Sequence, residues 1–141
     1  MENVILEREI SEELWEELIE IFNNSPMANR NLNELKLAFR NSTLKCFLFY
    51  DNKLVGCGRA LSDDVYQAAL YDIVVHHEFR RKGLGSIITK YLIKNINAKN
   101  IILYAVPGVE PFYKKLGFKK LKTGMGKFNS GLANIEKGYL E

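Results

Sequence analysis

The segment that most constrains this chain is an apolar strand that runs straight into a basic, glycine-bearing turn. Ala69-Leu70-Tyr71-Asp72-Ile73-Val74-Val75 is apolar at every position but one and closes on three β-branched residues, the pattern of a central strand buried on both faces. His76-His77-Glu78-Phe79 comes next, then Arg80-Arg81-Lys82-Gly83-Leu84-Gly85-Ser86. Leu84, Ile87, Ile88, Tyr91, Leu92 and Ile96 then recur at helical spacing, and Ile101 to Val106 returns as a strand. Strand, helix, strand is the order of a parallel crossover unit, so the chain is committed to a mixed α/β sheet.

The elements before that unit read as two helices and a hairpin. Ser11-Glu12-Glu13 offers a cap and two acids ahead of Leu14, Leu18, Ile21 and Phe22, and the helix should stop near Asn23-Asn24-Ser25-Pro26. A second helix is predicted from Asn33 as cap through Leu35, Leu37, Ala38 and Phe39, ending at Asn41-Ser42-Thr43. Cys46 to Tyr50 and Leu54 to Leu61 flank Asp51-Asn52-Lys53 as an antiparallel hairpin. Beyond the crossover, Val109 to Leu116 reads as a short helix ended by Gly117, and Phe118 to Phe128 as at least one more strand. Trp15, Phe47, Phe49 and Tyr50 are expected in the core.

A chain of 141 residues, 47% hydrophobic and 11% aromatic, is about one domain long, and residues 1–141 are expected to form a single domain. Its apolar runs are far shorter than the roughly 20 residues that span a bilayer, so no membrane partner is expected. Met1 to Glu9 lacks the basic, apolar, small-residue order of a secretion signal, which points to the cytoplasm. Cys46 and Cys57 fall on separate strands without metal-ligand spacing, and buried thiols in a reducing compartment are expected, with no metal site. A net charge of +3 is modest, and the basic residues Arg80-Arg81-Lys82, Lys119, Lys120 and Lys122 are too scattered for a nucleic-acid footprint.

Physical chemistry gives the glycine turn a purpose. The first N–H groups of a helix have no intrahelical partner, and the helix dipole favours negative charge there by about 0.3–1 kcal/mol. Gly83 and Gly85 remove side chains that would hold an anion away from the main chain, and Arg80, Arg81 and Lys82 add positive charge. A pyrophosphate fits such a nest. No second glycine segment completes a dinucleotide fingerprint, and no Gly-Lys-Ser or Gly-Lys-Thr comes after the turn.

Arg80 to Gly85 resembles the cofactor motif of the GNAT N-acetyltransferase superfamily: Arg or Gln, two residues, Gly, one residue, then Gly or Ala. The likeness extends upstream through Ile73-Val74-Val75 and downstream to Phe112-Tyr113-Lys114-Lys115-Leu116-Gly117-Phe118, similar to the family's late helix-to-strand junction. The resemblance implies the GNAT-like acyl-CoA N-acyltransferase fold, with N-terminal helices and an antiparallel hairpin followed by the crossover, and central strands splayed into a cleft. It implies acetyl-CoA as co-substrate. Main-chain groups of Ile73 and Val75 would pair with the pantetheine arm, and amides from Arg81 to Ser86, Leu84 included, would hold the pyrophosphate. Many relatives carry asparagine where this chain has Val106, so the pantetheine contact there differs. A homodimer accords with family habit.

Acetyl transfer needs a neutral amine and a partner for the departing thiolate. Tyr113 matches the family's tyrosine. A thiol titrates near about 8.5 and a phenol near about 10, so full proton transfer is uphill by roughly 2 kcal/mol, and hydrogen-bond donation to sulfur is the expected role. An alkylamine is neutral in only about one molecule per thousand at neutral pH, a deficit of roughly 4 kcal/mol that a base would offset. Tyr71 and Asp72 are the candidates, placed on opposite faces by alternation. Tyr71 is on the better side by analogy; Asp72 is the better base but could equally pair with a structural group. His76 and His77 are expected in solvated roles, and Glu110 either faces a substrate ammonium or is a surface residue. The resulting expectation is acetylation of a primary amine on a small molecule. The alternatives are protein or peptide N-acetylation and a noncatalytic acyl-CoA sensor.

Overall fold

The structure is a computed structural model and describes residues 3–141, so Met1 and Glu2 of the leading segment lie outside the described residues. The chain divides into two units, Met1–Leu103 and Tyr104–Glu141.

In the first unit, strands β1 (Val4–Glu7), β2 (Leu44–Tyr50), β3 (Lys53–Ser62), β4 (Gln67–Val75) and β5 (Asn100–Ile102) form one sheet in that spatial order. The pairings from β1 to β4 are antiparallel and β5 runs parallel to β4, which is the mixed sheet expected. Helices α1 (Leu14–Asn23) and α2 (Leu32–Arg40) precede β2, and α3 (Leu84–Asn95) makes the crossover from β4 to β5. Asp51 and Asn52, at φ 49° and 66°, form the two-residue turn between β2 and β3, a left-handed pair whose twist matches the flanking strands.

The sheet is packed on both faces. Leu18, Ile21 and Phe22 of α1 and Leu35 and Phe39 of α2 form one core with Phe47, Leu54, Cys57 and Val74. Phe39 stacks on Phe47 at 5.3 Å, and Trp15 meets both rings edge-on at 5.7 Å. Burial of each large side chain contributes about 1.5–3 kcal/mol. Cys46 and Cys57 are free and buried, and burial pushes the Cys46 thiol up to about 12.

Strand alternation turns Gly56 and Gly58 away from the Cys57 side and toward α3. A Cβ at Gly58 would stand 2.8 Å from Ile88 Cγ2 and 3.0 Å from Leu92 Cδ1, so these glycines let α3 lie directly on the β3 backbone.

Several expectations need correction. β1 had no forecast, because Val4–Glu7 is too short to show a period. Ser11 is not the side-chain cap of α1, which begins after Glu13 without one. The cap of α2 is Asn31 rather than Asn33, and its side chain accepts from Glu34 N. β5 stops at Ile102, short of Val106. β4 is not buried throughout: buried and half-buried residues alternate along it, and the bulge puts buried Leu70 and Val74 on opposite faces.

The second unit holds α4 (Glu110–Lys115) and α5 (Gly131–Glu136), and its described residues contain no strand. The strand expected over Phe118 to Phe128 is therefore absent; Gly124 and Gly126 weaken any such run. Gly117 ends α4 as expected, at φ 95°. Its N–H donates to Lys114 O and that of Phe118 to Tyr113 O, both at 3.1 Å. The Phe118 ring lies 5.9 Å from Tyr113, so the paired bonds and the apolar contact make a Schellman cap.

Candidate active site

β4 does two jobs along its length. Its lower part, Gln67–Ala69, pairs with Asn100–Ile102 of β5. Above Ala69 its outer edge carries no strand partner among the described residues, leaving a row of main-chain groups along Leu70 to Val75. The divergence coincides with a bulge. Arg59 of β3 faces Tyr71 and Cys57 faces Val74, so β4 holds one extra residue there, and Asp72 adopts φ 57°. Ile73 and Val75 are half-buried, while Val74 is buried in the α1–α2 core.

The turn after β4 starts with a short 3-10 stretch, His77–Phe79. Arg81 and Gly83 then take left-handed backbones, φ 66° and 78°, a bend of the kind that forms an anion-binding nest. Gly83 is the N-cap of α3 and no side chain caps the helix. By helix geometry the N–H groups of Leu84, Gly85 and Ser86 lack intrahelical acceptors. A Cβ at Gly83 would meet nothing within 4 Å, so the approach is open. The Leu84 side chain is buried and anchors the helix start, while Gly85 and Ser86 are half-buried.

The basic residues divide. Arg80 Nε donates to Val75 O at 3.3 Å and Nη2 to Asn24 O at 3.5 Å, bracing the turn against β4 and the end of α1. Arg81 and Lys82 are exposed, and Lys82 Nζ lies 5.9 Å from the Tyr50 ring. His76 Nδ1 accepts from Glu78 N at 3.1 Å, and its ring stacks on His77 at 4.5 Å. Lost solvent, then His77 and Lys53, depress the His76 pKa. His77 is exposed.

Alternation does not separate the two candidate bases as expected: the bulge turns both Tyr71 and Asp72 toward Arg59, yet they differ sharply in surroundings. The Asp72 side chain is 4% exposed and takes a fork from Arg30, Nη1 to Oδ2 at 3.1 Å and Nη2 to Oδ1 at 2.8 Å, with Arg59 Nε on Oδ2 at 2.7 Å. Burial alone would raise its pKa, but the Arg30 and Arg59 guanidiniums outweigh it and hold the carboxyl below its usual value. A carboxylate so held is a weak base, which suits the structural of the two roles open to Asp72. Tyr71 is half-buried, with the Arg59 guanidinium 5.3 Å from its ring. Sequence reasoning missed Arg30 and Arg59. An arginine inside the apolar run of β3 was a signal for the second; Arg30, in the α1–α2 connection, had none.

Tyr113 and Glu110 belong to the second unit. Tyr113 lies in α4, edge-on to Phe112 at 4.9 Å, and burial raises its pKa, so the phenol keeps its proton and remains a donor at neutral pH. Glu110 is exposed and accepts from Gly108 N at 2.6 Å, which ties it to the turn ahead of α4. Among the described residues no cluster could hold a metal ion, and no helix is long and apolar enough to cross a membrane.

Residues 8–118 match the Acetyltransferase (GNAT) family. The uncharacterized N-acetyltransferase ycf52 of Pyropia yezoensis is 35% identical over 116 residues, which span 77% of this chain and 67% of the relative. Among solved structures, the GNAT-family acetyltransferase SP0256 of Streptococcus pneumoniae TIGR4 superposes with a TM-score of 0.74 at 22% identity, covering 89% of this chain and 96% of that one. The glucosamine-6-phosphate N-acetyltransferase of Arabidopsis thaliana gives 0.71 at 17% identity, with 89% and 98% covered. At such identities these two establish likeness of fold alone.

Proposed function

The chain belongs to the GNAT acetyltransferase family, and from that membership we propose that it transfers an acetyl group from acetyl-CoA to a primary amine of a small molecule. The observation that carries this reading is the uncapped start of α3, where Gly83 leaves open space above main-chain N–H groups without helical acceptors. The residues present suit the co-substrate. Amides from Arg81 to Ser86 would hold the pyrophosphate, with Arg81 and Lys82 adding attraction from solvent. The unpaired edge of β4 at Ile73 and Val75 would take the amide-bearing pantetheine arm as an added strand.

Acetyl-CoA supplies an activated thioester carbonyl, and the chain's own groups would do the rest. By its sequence match to the family's tyrosine alone, Tyr113 would be the donor of a phenolic hydrogen to the departing sulfur, and its raised pKa keeps that hydrogen in place at neutral pH. Tyr71, half-buried and not locked in an ion pair as Asp72 is, would be the better of the two candidates to help an amine lose its proton through water.

A thiol-release assay with acetyl-CoA against amines, amino acids, amino sugars and a lysine-containing peptide tests this. Turnover of a small amine is expected, and Tyr113→Phe should lower kcat about tenfold at unchanged acetyl-CoA affinity, the scale of one lost hydrogen bond. Turnover of the peptide alone would reassign the acceptor to proteins. Tight acetyl-CoA binding with no acceptor turned over would make the protein a sensor.

A further inference from the structure

Asp72 stands where β4 bulges and parts from β5, and two other segments of the first unit, the α1–α2 connection and β3, meet it there. Arg30 brings in the α1–α2 connection, its guanidinium 5.2 Å from the Phe22 ring of α1. Arg59 comes from β3 and also reaches Ser42 Oγ at 3.3 Å, beyond the end of α2. The Cys57 thiol donates to the main-chain oxygen of Asp72 at 3.4 Å. A bulge bends its strand and re-aims the residues beyond it, and Asp72, with its left-handed backbone at φ 57°, is the residue at which β4 turns.

We infer that Asp72 is a positioning residue: clamped by Arg30 and Arg59, it holds the β4 bulge and so aims the main chain of Ile73 and Val75 at the acyl-pantetheine arm. The inference rests on the proposed use of that edge by acetyl-CoA. The carboxylate lies on the α1–α2 side of the sheet, whereas the unpaired edge lies in the sheet's plane, so its effect on the ligand travels through backbone geometry. It should therefore depend on whether the ligand has an arm to lay along the strand, and not on the pyrophosphate held further on at α3. Because Arg30 belongs to the α1–α2 connection, any shift of residues 24–31 pulls on the same carboxylate.

The test compares acetyl-CoA with 3′-phospho-ADP, which keeps the nucleotide and pyrophosphate but lacks the arm. Both are titrated calorimetrically into wild type, Asp72→Asn and Arg30→Gln, with a melting curve for each protein. Asparagine keeps the shape and tolerates the left-handed backbone but loses the charge. It is expected to weaken acetyl-CoA about tenfold, as one main-chain hydrogen bond would, and to leave 3′-phospho-ADP unchanged. Arg30→Gln leaves Arg59 on the carboxylate and should show the same selectivity at about threefold. Equal loss for both ligands marks a merely structural role and overturns the inference, as does loss for neither. Should Asp72→Asn fail to melt cooperatively, Arg30→Gln decides by the same criterion. Wild-type protein that binds neither ligand overturns the acetyl-CoA reading itself, and the inference with it, before any variant is measured.

Discussion

The starts of α2 and α3 meet the same physical problem in opposite ways. At α2, Asn31 sits in an extended conformation, its side chain accepts from Glu34 N at 3.0 Å, and Glu34 places an acid in the first turn. At α3, Gly83 has no side chain to offer, the first turn holds no acid, and Arg80-Arg81-Lys82 stand ahead of it. Both helices begin with unpaired N–H groups and a positive dipole end. One satisfies them from its own sequence; the other leaves them without a side-chain partner, and the proposed function gives them a pyrophosphate. α3 is otherwise well packed through Leu84, Ile88 and Leu92, and what separates its start from that of α1, which also lacks a side-chain cap, is the left-handed Gly83, the basic run ahead of it and the absence of first-turn acids.

The sharpest way to break this contrast is to give α3 a carboxylate of its own. Aspartate tolerates the left-handed backbone of Gly83, and nothing crowds its Cβ. Gly83→Asp should lower acetyl-CoA affinity about a hundredfold in a binding titration, the scale of two charge-assisted hydrogen bonds, with little change in melting temperature. Undiminished affinity would remove the functional meaning of the open start.

Acid separates the anion seat from the clamp beneath it. Asp72 has a depressed pKa in the folded protein, so its stabilising contribution is complete above the unfolded value, about 3.9, and is lost as pH falls through the folded value. Wild type should lose stability below about pH 4, and Asp72→Asn should show a shallower loss over that window in pH-dependent melting. Equal slopes would mean that the two arginines do not hold the carboxylate as described.

At the satisfied helix start, Asn31→Ala should cost about 1 kcal/mol in denaturant unfolding while acetyl-CoA affinity stays unchanged. A loss of affinity there would blur the two starts into one. The smallest effect belongs to Lys82→Ala, which should weaken acetyl-CoA by about twofold in low salt and not at all in high salt, because the residue is exposed and screened.

Much of the backbone around the candidate site was legible because its signals are local. Gly83 and Gly85 fall between an apolar strand and a periodic helix, and Leu116-Gly117-Phe118 carries the cap that the structure shows. The turn at Asp51 and Asn52 was equally readable from residues that accept a left-handed backbone. Less local features escaped. α2 starts earlier than expected, with Asn31 and not Asn33 as cap, and β1 exists because β2 offers it an edge. The strand expected over Phe118 to Phe128 fails because strands need partners as well as composition.

By itself, the sequence determined the hairpin, the crossover from β4 through α3, the mixed sheet and a glycine-led helix start without a side-chain cap, because helix caps, turn residues and apolar periods act over a few neighbours. Tertiary structure alone decided where β5 leaves β4 and what Asp72 does there. Arg30 lies 42 residues from that carboxylate along the chain, and no local pattern encodes a pairing that arises only when a loop, a hairpin strand and a bulge come together and exclude water.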